Sequence, residues 1–358
     1  MSSGKDGEVL IRIEGRAGRI TLNRPKSLNA LTYDMVCAIE GALRAWRNDR
    51  QVALVVIDAA GDRAFCAGGD IAELYRRGLE GDLAAARRFW AEEYRLNRLI
   101  RHYPKPFIAL MDGIVMGGGV GLSAHGSHRI VTERSMVAMP ECAIGLVPDV
   151  GASLVLANAP GRLGEYLGLT GFRMGAADAI FAGFANFAVA SDRVGELVAR
   201  LVETGDSRVA ELYATTPADA GVLAERQAAV DRLFAAPDAV SLVAGLAADG
   251  SDFAAEMLGA IRKGSPLSVA ATLAIIRTVR QQPTIETALR NEYRFTWRSQ
   301  ELGDLQEGIR AAVIDKDRKP QWPVARIEAL PAGRVDAMLA PLGDAELAFD
   351  EQQGEERS

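Results

Sequence analysis

An α/β fold with parallel strands, passing into an all-helical C-terminal region, is predicted by three features of the sequence. Between residues 52 and 139, apolar runs of strand length alternate with segments of helical periodicity, the pattern of parallel strands joined by crossover helices. After about residue 195 the strand-like runs stop and alanine-rich helical periods continue almost to the end. The chain has 358 residues, 49% hydrophobic and 25% charged, which suits a large buried core and excludes disordered and fibrous classes.

The elements follow in order. Val9, Ile11 and Ile13 share one face of a strand, a turn spans Gly15 to Gly18, and Ile20 to Asn23 returns as the second arm of a hairpin. Thr32 is an N-cap for a helix that carries Met35, Val36, Ile39, Leu43 and Trp46 at helical spacing, and the run Val52 to Ile57 is a buried strand. The unit then recurs: a helix over Asp82 to Arg101, a strand over Pro106 to Leu110, a glycine-rich turn with a helix opening at Leu122 to His125, and strands at Arg129 to Thr132 and Met136 to Met139. Ser265-Pro266 starts a helix over Leu267 to Arg280. The tail from Gly343 is acidic and polar, so fraying is expected. A boundary near residue 200 separates an α/β portion, 1–200, from a helical portion, 201–358.

Charge and cysteine usage narrow the function. A net charge of -6, with no Lys/Arg run interleaved with aromatics, argues against nucleic acid or an anionic membrane surface as partner. No apolar run approaches the roughly 20 residues of a membrane span. The start, MSSGKDGEVL, lacks the apolar stretch of a signal peptide, and Cys37, Cys66 and Cys142 lack metal-ligand spacing, so a reduced, cytoplasmic protein without a metal site is expected.

Two glycine clusters, DRAFCAGGDI (62–71) and DGIVMGGGVGLSAHG (112–126), stand where a strand gives way to a helix. Such turns present unpaired backbone N–H groups that hold phosphate or a developing oxyanion. A Walker loop is excluded, because no Gly-Lys-Ser/Thr follows either cluster, and the match to a dinucleotide fingerprint is weak. Gly121-Leu-Ser123-Ala-His125 imitates a nucleophile elbow, but two of the three histidines, His125 and His128, lie within five residues of Ser123, and His102 lies upstream. Histidine packing or surface roles are therefore expected, and catalysis falls to carboxylates and backbone dipoles.

Three acids sit where water should be scarce. MPECAIGLVPDVGAS (139–153) places Glu141 and Asp149 in an apolar, glycine-broken stretch, where desolvation raises a carboxyl pKa. As turn residues they would cap backbone N–H groups; as a pair they are candidate catalytic acids. Glu93 falls in the apolar stripe Phe89, Glu93, Leu96, Ile100, whereas Glu92 has Arg88 and Arg95 as surface partners.

These pieces, with ITLNRPKSLNAL (20–31), AFCAGGDI (64–71), MGGGVGLSAHG (116–126), LTGFRM (169–174) and EGIRAAVIDKDRKPQW (307–322), resemble the crotonase (enoyl-CoA hydratase/isomerase) superfamily, in particular its 3-hydroxyisobutyryl-CoA hydrolase branch. The resemblance spans nearly the whole chain. It implies a crotonase-like ββα spiral core over 1–200 with a C-terminal helical region over 201–358. It implies thioester hydrolysis of 3-hydroxyisobutyryl-CoA or a similar short 3-hydroxyacyl-CoA, as in valine catabolism. In that setting Gly69 and Gly118 form an oxyanion hole, Glu141 and Asp149 are the catalytic carboxylates, and Glu93 is a further active-site acid. Coenzyme A, part of the substrate and not a separate cofactor, would pass Lys26, Ala30, Ala67, Gly68, Asp70, Ile71 and Gly117, with Lys26 towards its phosphates. A trimer-based homo-oligomer is the assembly that the resemblance suggests. Hydratases of the family carry a catalytic glutamate at the position of Gly121, so a hydratase or isomerase on 2-enoyl-CoA is the nearest alternative and a non-catalytic acyl-CoA binder the more distant one. Ala152 also departs from the usual PDVGG.

Overall fold

The computed structural model describes residues 7–349. The hairpin is β1 (Val9–Glu14) and β2 (Ala17–Leu22). Its turn is tighter than Gly15 to Gly18, because Ala17 and Gly18 already pair with Glu14 and Ile13. Ile11 and Ile13 are exposed, since β1 is the sheet edge while β2 is covered on both sides. Helix α1 (Tyr33–Trp46) begins as expected, with the Thr32 hydroxyl accepting the Met35 N–H at 3.3 Å.

A unit of two strands and a helix then repeats. It runs β3 (Leu54–Ala59), β4 (Ala64–Cys66), α2 (Ile71–Leu79) and α3 (Leu83–Arg101), then β5 (Phe107–Met111), β6 (Ile114–Met116) and α4 (Gly118–Ser123). The third pass is β7 (His128–Val131), β8 (Met136–Ala138) and, after a turn at Glu141–Ile144, α5 (Ala152–Asn158). The first strand of each unit joins a six-stranded sheet, β1-β2-β3-β5-β7-β9, with β9 at Phe187–Ala188 and all pairs parallel after the hairpin. The second strand of each unit builds a parallel three-stranded sheet, β4-β6-β8. This is the expected ββα spiral.

The small sheet positions the functional segments. Its three strands are parallel neighbours, so the chain leaves their C-terminal ends side by side: Ala67–Gly69 after β4, Gly117–Gly118 after β6, Pro140–Glu141 after β8. Strands β4 and β6 have three residues each and run straight into the glycine clusters that the sequence assigns to turns. Helix α4 starts at Gly118, inside the glycine run, rather than at Leu122. Glycine disfavours helix, but here close packing overrides propensity: a side chain on Gly119 would run into the Cys66 carbonyl at the end of β4.

The helices after β9 are not a separate body. Helix Pro266–Gln281, capped by Ser265 whose hydroxyl accepts the Ser268 N–H at 3.1 Å, packs on α5 and α6 (Leu163–Thr170), and helix Ile285–Ser299 packs on α3 and α5. One apolar cluster runs from Ile20 to Leu347, and a boundary at 200 falls inside helix Val194–Thr204. The tail is docked rather than frayed as far as it is described. Glu346 pairs with Arg294 at 3.1 Å, Leu347 enters the core, and Phe349 lies 5.2 Å from the guanidiniums of Arg98 and Arg290. Residues 1–6 and 350–358, including most of the N-terminal stretch weighed as a signal and the end of the acidic tail, lie outside the described residues. None of the described helices is long and apolar enough to cross a membrane.

The contact at Gly119 gives a direct check. Gly119→Ala meets backbone that cannot swing away, so it should destabilise by roughly 1–3 kcal/mol. Urea unfolding measures this, and an unchanged midpoint would mean that α4 does not abut β4 so closely.

Candidate active site

Nine of the residues singled out in the sequence line one cavity of ≈ 210 Å³: Ala67, Gly68, Gly69 and Ile71 from the first glycine segment, Gly117 and Gly118 from the second, and Glu93, Glu141 and Asp149. The two glycine segments touch. A methyl built on Gly68 would lie 3.9 Å from the Gly118 nitrogen, and one on Gly117 would lie 3.4 Å from the Gly68 α-carbon. Both Gly68 and Gly117 have positive φ, +116° and +49°, a turn that side chains resist. Among the described residues no carbonyl or side chain takes the N–H of Gly69 or Gly118. The Leu31–Gly69 bridge uses the Gly68 carbonyl and the Asp70 N–H instead, and Gly118 opens a helix, where the first N–H groups are unpaired by geometry.

Lys26, Ala30 and Asp70 are not brought to this cavity. Lys26 is exposed on the Pro25–Ser27 turn, and Ala30 is half-buried, its carbonyl accepting from Arg24 at 2.6 Å. Asp70 faces an adjoining cavity of ≈ 400 Å³, together with Tyr33, Arg77 and Arg88, and is held by Arg24 at 3.0 Å. Leu74 and Phe89 line both cavities. Arg24, which the sequence reading passed over, thereby ties segment 23–31 to segment 64–71.

Glu93, Glu141 and Asp149 expose only 2%, 5% and 5% of their surface. Among the described residues no lysine or arginine pairs with them, and burial is the first cause that raises each carboxyl. Asp149 is pushed up to about 7, opposed by the Tyr94 hydroxyl, which donates to its Oδ2 at 2.8 Å. Asp149 in turn raises Glu93 and Glu141 further. Oε1 of Glu93 and Oε2 of Glu141 are buried and find no hydrogen-bond partner among the described residues. Such atoms are expensive, and two at one cavity mark where polar ligand atoms belong. Glu141 and Gly117 are close, with a methyl on Gly117 3.1 Å from Glu141 Oε1, and Glu93 abuts Gly118 in the same way at 2.5 Å.

Three further residues hold Asp149 or the turn after it; the sequence assigns no role to Tyr94 or Glu292 and only a packing or surface role to His125. Tyr94 is the donor just named. His125 is buried and kept neutral by that burial, its pKa pulled down to about 4. Its Nε2 lies 2.8 Å from the Val150 carbonyl, which only accepts, so Nε2 carries the proton. Glu292, on helix Ile285–Ser299, accepts from the Gly151 and Ser153 N–H groups at 2.7 and 3.0 Å and from the Ser153 hydroxyl. Its carboxyl is pushed up to about 8 by burial. Val150 has φ +55°, a strain of order 1–3 kcal/mol for a β-branched residue. The serine-elbow imitation dissolves: Ser123 donates to the Gly119 carbonyl at 2.7 Å within its own helix, His102 is exposed against Glu286, and His128 stacks on Phe187. Glu92 pairs with Arg95 at 2.7 Å, while Arg88 lies over the Tyr33 ring.

The profile of the enoyl-CoA hydratase/isomerase family matches residues 17–339. The chain belongs to that family. The 3-hydroxyisobutyryl-CoA hydrolases named as mitochondrial from Gallus gallus and Danio rerio are each 40% identical, covering 95% and 97% of this chain and 90% and 93% of their own. The one from Homo sapiens is 38% identical, covering 96% of this chain and 91% of its own. Among solved structures, an enoyl-CoA hydratase from Rhodobacter sphaeroides has 53% identity and a TM-score of 0.91, covering 96% of this chain and all of its own. A carnitinyl-CoA dehydratase from Mycobacterium thermoresistibile has 40% identity and a TM-score of 0.92, covering 97% of this chain and all of its own.

Raised carboxyl pKa values in this family member have a thermodynamic sign. The folded chain holds protons that the unfolded chain releases, so this contribution is complete below the ordinary carboxyl range and is lost as pH rises through the raised values. From Asp149 (3.8 to about 7) and Glu292 (4.5 to about 8), the window is pH 4 to 8. Stability against urea should fall across it, and Asp149→Asn, which cannot ionise, should flatten the fall. A slope unchanged by Asp149→Asn would mean that Asp149 titrates in its ordinary range.

Proposed function

We propose that this chain is an acyl-CoA thioester hydrolase acting on 3-hydroxyisobutyryl-CoA or a similar short 3-hydroxyacyl-CoA. The observation that carries the reading is one cavity in which two free backbone N–H groups, of Gly69 and Gly118, stand with the buried carboxyls of Glu141 and Asp149. The thioester carbonyl oxygen accepts from those N–H groups, which stabilise the charge arriving on it as its carbon becomes tetrahedral. Ionised Glu141 supplies the electron pair, through its own oxygen or by taking a proton from an attacking water. The C–S bond then breaks and coenzyme A departs as its thiol; attack by water leaves the free hydroxy acid, whereas attack by the Glu141 oxygen leaves an acyl anhydride that a water then hydrolyses to the free acid and regenerated Glu141. Asp149, titrating near neutrality, orients the substrate hydroxyl or the water and passes a proton to the leaving sulfur. Glu93 meets the polar end of the acyl group, so analogues without a hydroxyl leave its oxygen unpaired.

The coenzyme A chain runs through the adjoining cavity at Asp70, past Ala30, and its phosphates meet Lys26 outside it. No metal or further cofactor enters this scheme. A homo-oligomer built on trimers and a cytoplasmic location complete the proposal; the hydrolase relatives' names place those proteins in mitochondria.

A second reading, hydration of a 2-enoyl-CoA, is favoured by the name of the Rhodobacter sphaeroides structure. Position 121 weighs against it. A side chain there would meet Val150 at 2.7 Å and Asn97 Nδ2 at 2.8 Å, so the second acid of a hydratase has no room. The non-catalytic binder has no use for three buried, unpaired carboxyls.

Purified protein should therefore release free thiol from 3-hydroxyisobutyryl-CoA or 3-hydroxypropionyl-CoA, equally after dialysis against a chelator. Loss of the enoyl absorbance of crotonyl-CoA without thiol release would establish the hydratase reading instead. Glu141→Gln and Asp149→Asn are nearly isosteric and should fold and bind acyl-CoA. The first should abolish the chemical step. The second should lower turnover by roughly 100-fold or more, as loss of general acid–base help does, and weaken the preference for a 3-hydroxyl. Thiol release and acyl-CoA titration on the same preparations decide, and wild-type turnover in either variant would make that acid a turn residue.

A further inference from the structure

The turn carrying Asp149 is held in an unfavourable backbone shape by a residue 143 positions later. Val150 and Gly151 are consecutive left-handed residues, with φ of +55° and +78°. Gly151 is the N-cap of α5 and has no side chain to accept that helix's first N–H groups. A Ser, Asn or Asp at the cap would do so locally. Instead Glu292 reaches across from helix Ile285–Ser299, its Oε2 accepting from the Gly151 N–H at 2.7 Å and its Oε1 from the Ser153 N–H at 3.0 Å and the Ser153 hydroxyl. Three donors converge on the two oxygens of a fully buried side chain; these bonds favour its ionised form, and burial, which pushes the carboxyl up to about 8, outweighs them, so the group serves here as the shared acceptor of the turn.

A buried carboxyl group is a costly cap for a seven-residue helix. The outlay is intelligible if the object held is the turn and not the helix. Asp149 immediately precedes the left-handed pair, so rotation at Val150 or Gly151 redirects its carboxyl. Tyr94 from α3 and His125 from the end of α4 secure the Asp149 side chain and the Val150 carbonyl. Glu292 secures the far end of the turn, and it comes from the helices beyond residue 200.

We infer that Glu292 is a positioning residue for thioester hydrolysis: its side chain, accepting from Gly151 and Ser153, locks the Val150–Gly151 turn and thereby aims Asp149 into the cavity. This rests on the hydrolase reading above. Because Asp149 meets the substrate hydroxyl or the attacking water, loosening the turn disturbs the step in which that hydroxyl is read, while the glycine N–H groups that bind the carbonyl stay in place.

The test compares Glu292→Gln with the wild type on 3-hydroxypropionyl-CoA and propionyl-CoA, with folded fraction followed by thermal unfolding. The expected result is a kcat lower by about 10- to 100-fold, the scale of a misplaced catalytic group, with acyl-CoA affinity within about twofold and a smaller preference for the hydroxylated substrate. A purely structural role would reduce both substrates in proportion to the folded fraction, and that result, or an unchanged kcat, overturns the inference. If Glu292→Gln does not stay folded at assay temperature, Ser153→Ala removes one donor of the three. It should then give about a 5-fold loss with the same change in preference, and equal losses on both substrates overturn the inference. Absence of thiol release by the wild type overturns the hydrolase reading and the inference with it; wild-type release with an indifferent Glu292→Gln overturns the inference alone.

Discussion

The centre of this molecule is organised around the difficulty of keeping Glu93, Glu141, Asp149 and Glu292 out of water with no lysine or arginine paired to them among the described residues. Coulomb repulsion between such groups is weakly screened in a low-dielectric interior: Asp149 raises the proton affinity of the other three, and Glu292 and Glu93 raise that of Glu141 further. Asp149 and Glu292, pushed up to about 7 and about 8, exchange protons near neutral pH, which an acid or a base in an enzyme has to do. The surroundings treat the four unequally. Glu292 receives three donors and Asp149 receives Tyr94, whereas Glu93 and Glu141 each keep an oxygen with no partner among the described residues. Glu292 is held within the protein, whereas Glu93, Glu141 and the Tyr94-bonded Asp149 line the cavity and face whatever enters it.

That division depends on the small sheet. With β4, β6 and β8 parallel and adjacent, three chain segments leave at one edge, and the identity of the first residues in each decides what the edge can do. Two segments are glycine, so backbone N–H groups approach a ligand without side chains between; the third begins Pro140-Glu141 and brings a carboxylate. Ligands bind at the carboxyl ends of parallel strands in many α/β proteins for the same geometric reason. Here helix α3 lies over the opening and contributes Glu93 and Tyr94 from successive residues.

Much of this was legible in the sequence because it rests on local rules. The hairpin, the caps at Thr32 and Ser265, the alternation of strand and helix, and the odd placing of Glu93, Glu141 and Asp149 all leave marks within a few residues. Strands β4 and β6 run straight into the glycine clusters that the sequence assigns to turns, whereas the equally short β8 does not, and helix α4 hides in a glycine run that propensity assigns to a turn. Docking of the tail depends on Arg294, Arg98 and Arg290, remote in sequence. Glu292 was accessible: Ile285, Ala288, Leu289, Glu292 and Thr296 stand at helical spacing on one apolar face, the signal that distinguished Glu93. His125 and Tyr94 were not, because a buried aromatic residue with a polar tip looks the same in sequence whether or not it holds a carboxylate.

Position 121 joins these threads. A glycine there lets the strained Val150 turn and the Asn97 side chain come against α4, a methyl on Gly121 lying 2.7 Å from one and 2.8 Å from the other. The space that a glutamate would need is the space that the Asp149 turn occupies. A side chain at 121 and the Asp149 turn in its present position therefore compete for the same space. The turn that fills the gap is left-handed at a valine and does not hold its own shape, so it needs outside support. Tyr94, His125 and Glu292 provide that support, and Glu292 comes from the helices after residue 200, which ties their packing on α3 and α5 to the placement of one carboxylate.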